Sequence, residues 1–485
     1  MNRPRSAPAS TPDLSAVLIV ISALLLSVLA GLTASALPWL FTLLAVLMTL
    51  VLAASAAQPH VGLIVSLTLI FEVVPSIFQP HVPLFAGGRL QVYDLLIAYL
   101  AAVVLMRVLA KGLRPLQAMG PIRWPLYYLA ACLFSSLFYV RFFAPNLQAM
   151  AEARFAIAWL IVPLATLSAD TPARFRWLVR SVLGIGLVIA LYVTLQSAFD
   201  VRIMTGSRVE TLDFTNNRDV VRSIAGGGVY IVIFALFLLM NRLIERRLSW
   251  QLGIPALLLL VAGLAVQFGR GVWIAAALGL LVSAALFRGA YGIVRALTVG
   301  AITIALLLSA TSIVRPRLAE ALIARATGVG TEFESGASFN WRKLENDAAM
   351  RRILRNPIMG TGIGGDYKQT ISQEGSFQYE TTYIHNGYLF FPLKMGLFAT
   401  FVPLAFIIAF LVTIHRGVAK HLGGNSDRAF VAALCGAFTV PTITSFTQPE
   451  WANTQGTAAF ALFTGMALLY RQMGSPIAAA PARQS

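Results

Sequence analysis

The chain is poor in cysteine and in charge. Its two cysteines among 485 residues, Cys132 and Cys435, both sit inside apolar runs, where a small buried hydrophobe is the ordinary reading and a disulfide is disfavoured. Charged residues make up 12% of the chain, with 20 acidic against 37 basic side chains and 5 histidines. No zinc-ligand spacing, P-loop, dinucleotide glycine fingerprint or G-x-S-x-G elbow is present, which removes the readily recognised cytosolic chemistries. No internal repeat, parallel or inverted, is evident, and this counts against a secondary transporter. Glu72, Asp94 and Lys394 fall within apolar runs but form no stacked relay of the kind a proton pump needs; each is read either as a functional ionisable group or as a snorkelling or paired one.

What is abundant is apolar sequence. Hydrophobic residues reach 58% and the mean hydropathy is +0.76, with runs long enough to cross about 30 Å of hydrocarbon recurring throughout. The chain reads as an all-α polytopic membrane protein of about 12–14 transmembrane helices. The spans fall near 15–33, 38–56, 61–78, 92–110, 124–140, 150–167, 177–198, 226–241, 252–268, 271–288, 294–312, 386–413, 428–447 and 453–470. Ala34-Ser35-Ala36 resembles a signal-cleavage site, yet the length of the preceding run and the prompt second span favour a retained anchor.

With the N-terminus in the cytoplasm, inner segments carry Arg107, Lys111, Arg114, Arg123, Arg174, Arg176, Arg180, Arg242, Arg246 and Arg247, among others. The short outer loops keep only Arg89, Arg141, Arg154 and Arg270. The formal charge of +17 is therefore mostly a positive-inside topology signal and gives no support to nucleic-acid binding. Residues 1–312 read as a helix bundle with an outer loop at 199–225, 313–385 as a long polar outer segment, 386–472 as C-terminal membrane helices and 473–485 as a cytoplasmic tail.

The polar segment has its own pattern. Residues 340–355 read as an amphipathic helix along the membrane–water boundary, with Trp341, Leu344, Ala348 and Ile353 or Leu354 on one side and basic residues, Arg342 among them, on the other. That basic face is either a lipid-phosphate site or simply the solvated side. A turn rich in proline and glycine follows at 356–365, and the segment ends in Tyr383-Ile384-His385-Asn386-Gly387-Tyr388 at the mouth of another apolar helix. A long polar excursion that returns a histidine to the membrane surface suits a site where a water-soluble group meets a lipid-borne one.

Arg342-Lys343, Asn356-Pro357-Ile358-Met359-Gly360-Thr361-Gly362, His385-Asn386-Gly387-Tyr388-Leu389 and Lys394-Met395-Gly396-Leu397, in that order, resemble the O-antigen ligase and polymerase superfamily of membrane glycosyltransferases. Phe268-Gly269-Arg270-Gly271 is similar to that family's Ser-Arg-Gly signature, with Gly269 in place of serine. Arg222-Ser223-Ile224-Ala225-Gly226 is similar to its other outer arginine motif but lacks the Pro-Asn that often follows. The resemblance covers residues 220–400 by motif and the remainder by topology. It implies a GT-C-like bundle with a large periplasmic loop in the bacterial inner membrane. The implied reaction moves a glycan from undecaprenyl diphosphate to an acceptor hydroxyl, with lipid A–core as acceptor for a ligase and a second lipid-linked repeat for a polymerase. A protein O-oligosaccharyltransferase belongs to the same class, and a lipid-linked oligosaccharide flippase is the alternative from a different one.

Such a transfer needs a proton acceptor for the hydroxyl and cations for the diphosphate. His385 suits the first role, and Arg222 and Arg270 suit the second, because a guanidinium stays charged beside lipid and offers a fork of donors. Simple headgroup anchoring is the competing reading for the arginines. Arg154, Arg342, Glu380, Tyr383 and Lys394 are secondary candidates. No Asp-x-Asp or carboxylate–histidine cluster suggests a bound metal, so arginine is expected to replace the divalent cation, and no cofactor is implied.

The charge asymmetry has a direct check. A periplasm-active reporter fused within 366–378 is expected to be active and one fused at 418–425 silent; the reverse pattern would invert the topology.

Overall fold

The computed structural model describes residues 39–74, 79, 81–83, 89–111, 119–146, 148–199, 209–211, 220–327, 337–368, 382–421 and 428–474. The expected first span at 15–33, the tail from 475 onwards and Glu380 lie outside the described residues. The chain is an all-α polytopic membrane protein. Six described helical stretches, the broken run Ala149–Ser168 among them, are long and apolar enough to cross a membrane, and five shorter apolar stretches of 10–17 residues accompany them.

In chain order the helices are α1 (Trp39–Ala57), α2 (Pro59–Ile70), α3 (Val92–Lys111), α4 (Arg123–Phe142), α5 (Ala149–Ala153), α6 (Phe155–Ala158), α7 (Ile161–Ser168), α8 (Pro172–Phe199), α9 (Gly228–Ile244), α10 (Trp250–Ala265), α11 (Arg270–Val314), α12 (Pro316–Thr327), α13 (Ala337–Arg355), α14 (Gly387–Met395), α15 (Phe401–His421), α16 (Arg428–Thr444) and α17 (Thr454–Met473). Two short antiparallel hairpins complete the described structure: β1 (His81–Pro83) with β2 (Arg89–Gln91), and β3 (Val209–Thr211) with β4 (Val221–Ser223).

Several expected spans are modified. The run at 61–78 is helical only to Ile70, and Glu72 follows in a left-handed backbone (φ 56°). Residues 149–168 form three short helices, broken at Arg154 and at Trp159–Leu160. The spans at 271–288 and 294–312 stay two helical stretches within α11, separated at Arg288 and Gly289, where the backbone is not helical and the chain bends so sharply that a Cβ on Gly292 would strike the Ala284 carbonyl. The span at 386–413 is cut in two at Gly396 (φ 85°), where α14 gives way to a 3-10 turn at Leu397–Thr400 and then α15. Apolar periodicity reports what can be buried and is blind to such breaks.

Nearly every residue of α9 and α17 is buried, which makes them the centre of the bundle. Lipid tails are as apolar as leucine side chains, so close packing has to hold the helices together, and small residues permit it. Gly279 of α11 and Gly436 of α16 face one another so closely that a Cβ on either would lie 2.5–2.7 Å from the other's carbonyl oxygen. Aromatic stacking fixes the chain between α16 and α17: Trp451, fully buried, lies 3.6 Å from the Phe460 ring, centroid to centroid.

Helix ends converge at one end of the bundle. The Gly387 amide at the start of α14 donates to Ser445 O at 2.8 Å, Gly227 before α9 donates to Gln455 Oε1 at 2.9 Å, and Ser223 of β4 donates to Val266 O at 3.2 Å. The segments carrying Arg222, Arg270, His385 and Glu450 are thereby gathered together.

Gly396 supplies a backbone that other residues rarely adopt, and an added Cβ would collide with the Ile358 carbonyl. Gly396→Ala should lower the thermal unfolding temperature in detergent by the equivalent of about 1–3 kcal/mol. Gly300→Ala, in the open part of α11, should leave it unchanged.

Candidate active site

His385 sits just before α14, held by the cap of that helix. The Asn386 side chain accepts hydrogen bonds from the amides of Tyr388 and Leu389, which fixes the backbone at its neighbour. Its imidazole Nδ1 lies 2.7 Å from Glu345 Oε2 on α13, and Tyr383 meets the ring edge-on with centroids 4.9 Å apart. Nε2 has no hydrogen-bond partner among the described residues. Glu345 is buried, and its second oxygen takes a hydrogen bond from Lys368 Nζ. Burial alone pushes the Glu345 carboxyl up, but the hydrogen bonds and charges of His385 and Lys368 outweigh it and hold the group below its ordinary range. Arg342 lies near the same carboxylate; burial lowers its pKa and Glu345 opposes the shift.

The buried stripe of α13 is Glu345, Ala349 and Ile353, four residues apart, whereas Leu344 and Leu354 point outward. Of the apolar residues expected on one side, Ile353 belongs to this stripe and Trp341 and Ala348 are partly buried. Glu345 was passed over because the reading followed the larger apolar side chains, although the four-residue spacing of an acid with two buried aliphatic residues was the available signal.

The arginines divide into two settings. Arg222 lines a cavity of about 430 Å³ together with Arg154, Gln267, Gln448, Glu450 and Gln455, and its Nε donates to Gln267 O at 2.7 Å. Burial pushes the Glu450 carboxyl up, against hydrogen bonds from Asn453 and Tyr230. Arg154 also lines an adjoining cavity of about 210 Å³, shared through Asn453 and Thr454, that extends to Tyr383 and Ile384. Its Nε is 3.4 Å from Asp94 Oδ2. A continuous path of lining residues thus leads from Arg222 to the residues that precede His385.

Arg270 opens α11 beside Phe268, a non-glycine residue with φ 51°, and such strain collects at functional sites. Its Nε donates to Arg325 O, while Arg325 Nε donates back to Phe268 O, each at 3.1 Å. Sequence reasoning missed Arg325. Burial first, then the charges of Arg270 and Arg222, push its pKa down to about 10, so three guanidinium groups crowd one another here. The signal was an arginine on the apolar face of a short helix directly after a membrane span.

Lys394 takes a paired setting, one of the readings open to it. It is fully buried, its Nζ lies 3.2 Å from Glu152 Oε1, and it donates to Gly365 O at 2.7 Å. The Gly364 amide also bonds to Glu152. Lys394 therefore pins the glycine turn against α5 and α14 and lines neither cavity.

Residues 255–404 match the family model described as O-antigen ligase. Over these residues, about a third of the chain, the sequence is similar to that family. The matched stretch contains Arg270, Arg325, Glu345, Lys368, His385 and Lys394, and it leaves out Arg154 and Arg222, which reach the cavities from earlier helices. No curated protein matches the sequence.

Lys394→Met would leave Glu152 without its ammonium partner. We expect a loss of about 3–5 kcal/mol in detergent unfolding, largely recovered when Glu152→Gln is added, because the second change removes the orphaned charge.

Proposed function

We propose that this protein is a membrane glycosyltransferase of the O-antigen ligase superfamily acting at the periplasmic face of the bacterial inner membrane, moving an undecaprenyl-diphosphate-linked glycan onto a hydroxyl of lipid A–core. The observation that carries this reading is the pair of adjoining cavities, which have arginines at one end and the approach to His385 at the other.

In this reading the diphosphate lies by Arg222, with Arg154 at the junction of the two cavities and Arg270 and Arg325 adding positive potential nearby. The acceptor oxygen attacks the anomeric carbon of the glycan, and the bond from that carbon to the phosphate oxygen breaks. The electron pair leaves with the lipid diphosphate, while the hydroxyl proton passes to Nε2 of His385. Charge accumulates on the diphosphate as the bond lengthens, and guanidinium groups fixed before reaction stabilise it without reorganisation. No step requires a cofactor.

General-base assistance supplies about 10²–10⁴-fold. In purified protein, His385→Ala should therefore lower glycan transfer by about that factor, with binding of the undecaprenyl diphosphate donor little changed. Arg222→Lys and Arg270→Lys should lose most transfer with normal membrane insertion, because lysine keeps the charge but not the planar fork. A wild-type rate in His385→Ala would overturn the base role. In a deletion strain the surface-polysaccharide gel should show uncapped lipopolysaccharide with lipid-linked polymer retained; accumulation of single repeat units would instead indicate a polymerase.

A further inference from the structure

We infer that Glu345 is the positioning residue for His385, fixing which ring nitrogen receives the acceptor proton, and that Lys368 keeps this buried carboxylate ionised. The inference rests on the reading of His385 as the base, and extends it to two residues that touch neither sugar nor diphosphate in that reading.

An ionised carboxylate can only accept hydrogen bonds. At 2.7 Å from Glu345 Oε2, Nδ1 of neutral His385 must therefore carry the ring proton, which leaves the lone pair on Nε2. The same oxygen lies 3.4 Å from the His385 backbone amide, so one carboxylate restrains both the ring and the chain that bears it. Tyr383 stands at 87° to the imidazole plane and limits rotation of the ring, and Tyr367 holds Tyr383 in turn by donating to its carbonyl at 2.8 Å.

When Nε2 takes a proton, the positive charge that appears lies against the carboxylate. A neutral Glu345 could not provide that stabilisation, and a buried carboxyl tends towards the neutral form. Lys368 opposes this tendency. Its ammonium bonds to the other carboxylate oxygen and sits 5.4 Å from the Trp341 ring and 5.5 Å from the Tyr367 ring, so cation–π contacts on two sides confine it. The charged or titratable groups facing the carboxylate are thus His385 and Tyr383 ahead of α14, Lys368 and Tyr367 after the glycine turn, and Arg342 on α13 itself. Of these groups the Glu345 carboxylate is the one within hydrogen-bond distance of a ring nitrogen, so it fixes the tautomer.

The test compares pH–rate profiles of full-length purified protein under saturating donor. Glu345→Gln places an amide beside Nδ1 and removes the negative charge; transfer should fall by roughly 10²–10⁴-fold, and the acid limb of the profile should move to lower pH, because the protonated ring is no longer favoured. Glu345→Asp should regain part of the rate, and donor binding should stay at the wild-type level in both variants. Lys368→Met should move the acid limb the opposite way, to higher pH, because the buried carboxyl must then lose its proton unaided.

A structural role alone would lower the rate with the folded fraction and leave the limb where it is. Wild-type rate and profile in Glu345→Gln, alongside an inactive His385→Ala, would overturn the positioning role and leave the base reading standing. Wild-type transfer in His385→Ala would remove the premise of both. If Glu345→Gln does not fold, Lys368→Met decides: an unmoved acid limb there overturns the inference.

Discussion

The arrangement of the candidate site depends on one ammonium group withdrawn from solvent. Lys394 is buried beside Glu152, and its Nζ also donates to the carbonyl of Gly365. Those contacts join α14, the glycine turn and the broken helix of 149–168, three segments far apart in sequence. A buried ion pair adds little net stability over a well-packed apolar core, but misplacing either partner strands a charge in a dry interior, which costs several kcal/mol. The neighbouring backbone follows the same register. Thr361 donates to Leu393 O at 2.7 Å, Leu397 donates to Pro357 O at 2.8 Å, and Ser136 of α4 bridges Ile363 N and Lys394 O. With the end of α14 tied down in this way, its beginning presents His385 to α13 with little freedom.

A second constraint is electrostatic. Arg270 and Arg325 each give a side-chain hydrogen bond to the other's segment, and the charge of Arg222 reaches Arg325. Like charges brought close in a partly buried setting destabilise one another, and an anion carrying two charges relieves the strain. In the proposed reading the site thus holds electrostatic energy that is released only with a diphosphate in place. In that reading the base, His385, follows Tyr383 and Ile384, which line the far end of the adjoining cavity, and its ring lies beside the Glu345 carboxylate.

Membrane class and the resemblance to O-antigen ligases, matched over residues 255–404, were legible from the sequence, because apolar run length and motif order are properties of consecutive residues. His385, Arg222 and Arg270 could be singled out for the same reason, each lying within a short recognisable string. Tyr383 could be found beside His385 in the same string, and Arg154 as a charge that opposes the inner-loop bias.

Tertiary structure decided the partners. Glu345 is forty residues from His385, Lys368 is twenty-three from Glu345, and Glu152 is more than two hundred from Lys394; no periodicity links residues that meet only when separate helices pack. The breaks at Arg154 and Gly396 were hidden as well, since hydropathy measures how apolar a segment is and not whether its backbone stays helical. The sequence by itself determined that this chain enters a membrane and carries a polar segment ending in a histidine. Which side chains surround that histidine was left to packing, because hydrogen-bond geometry is set by distances across helices and not along the chain.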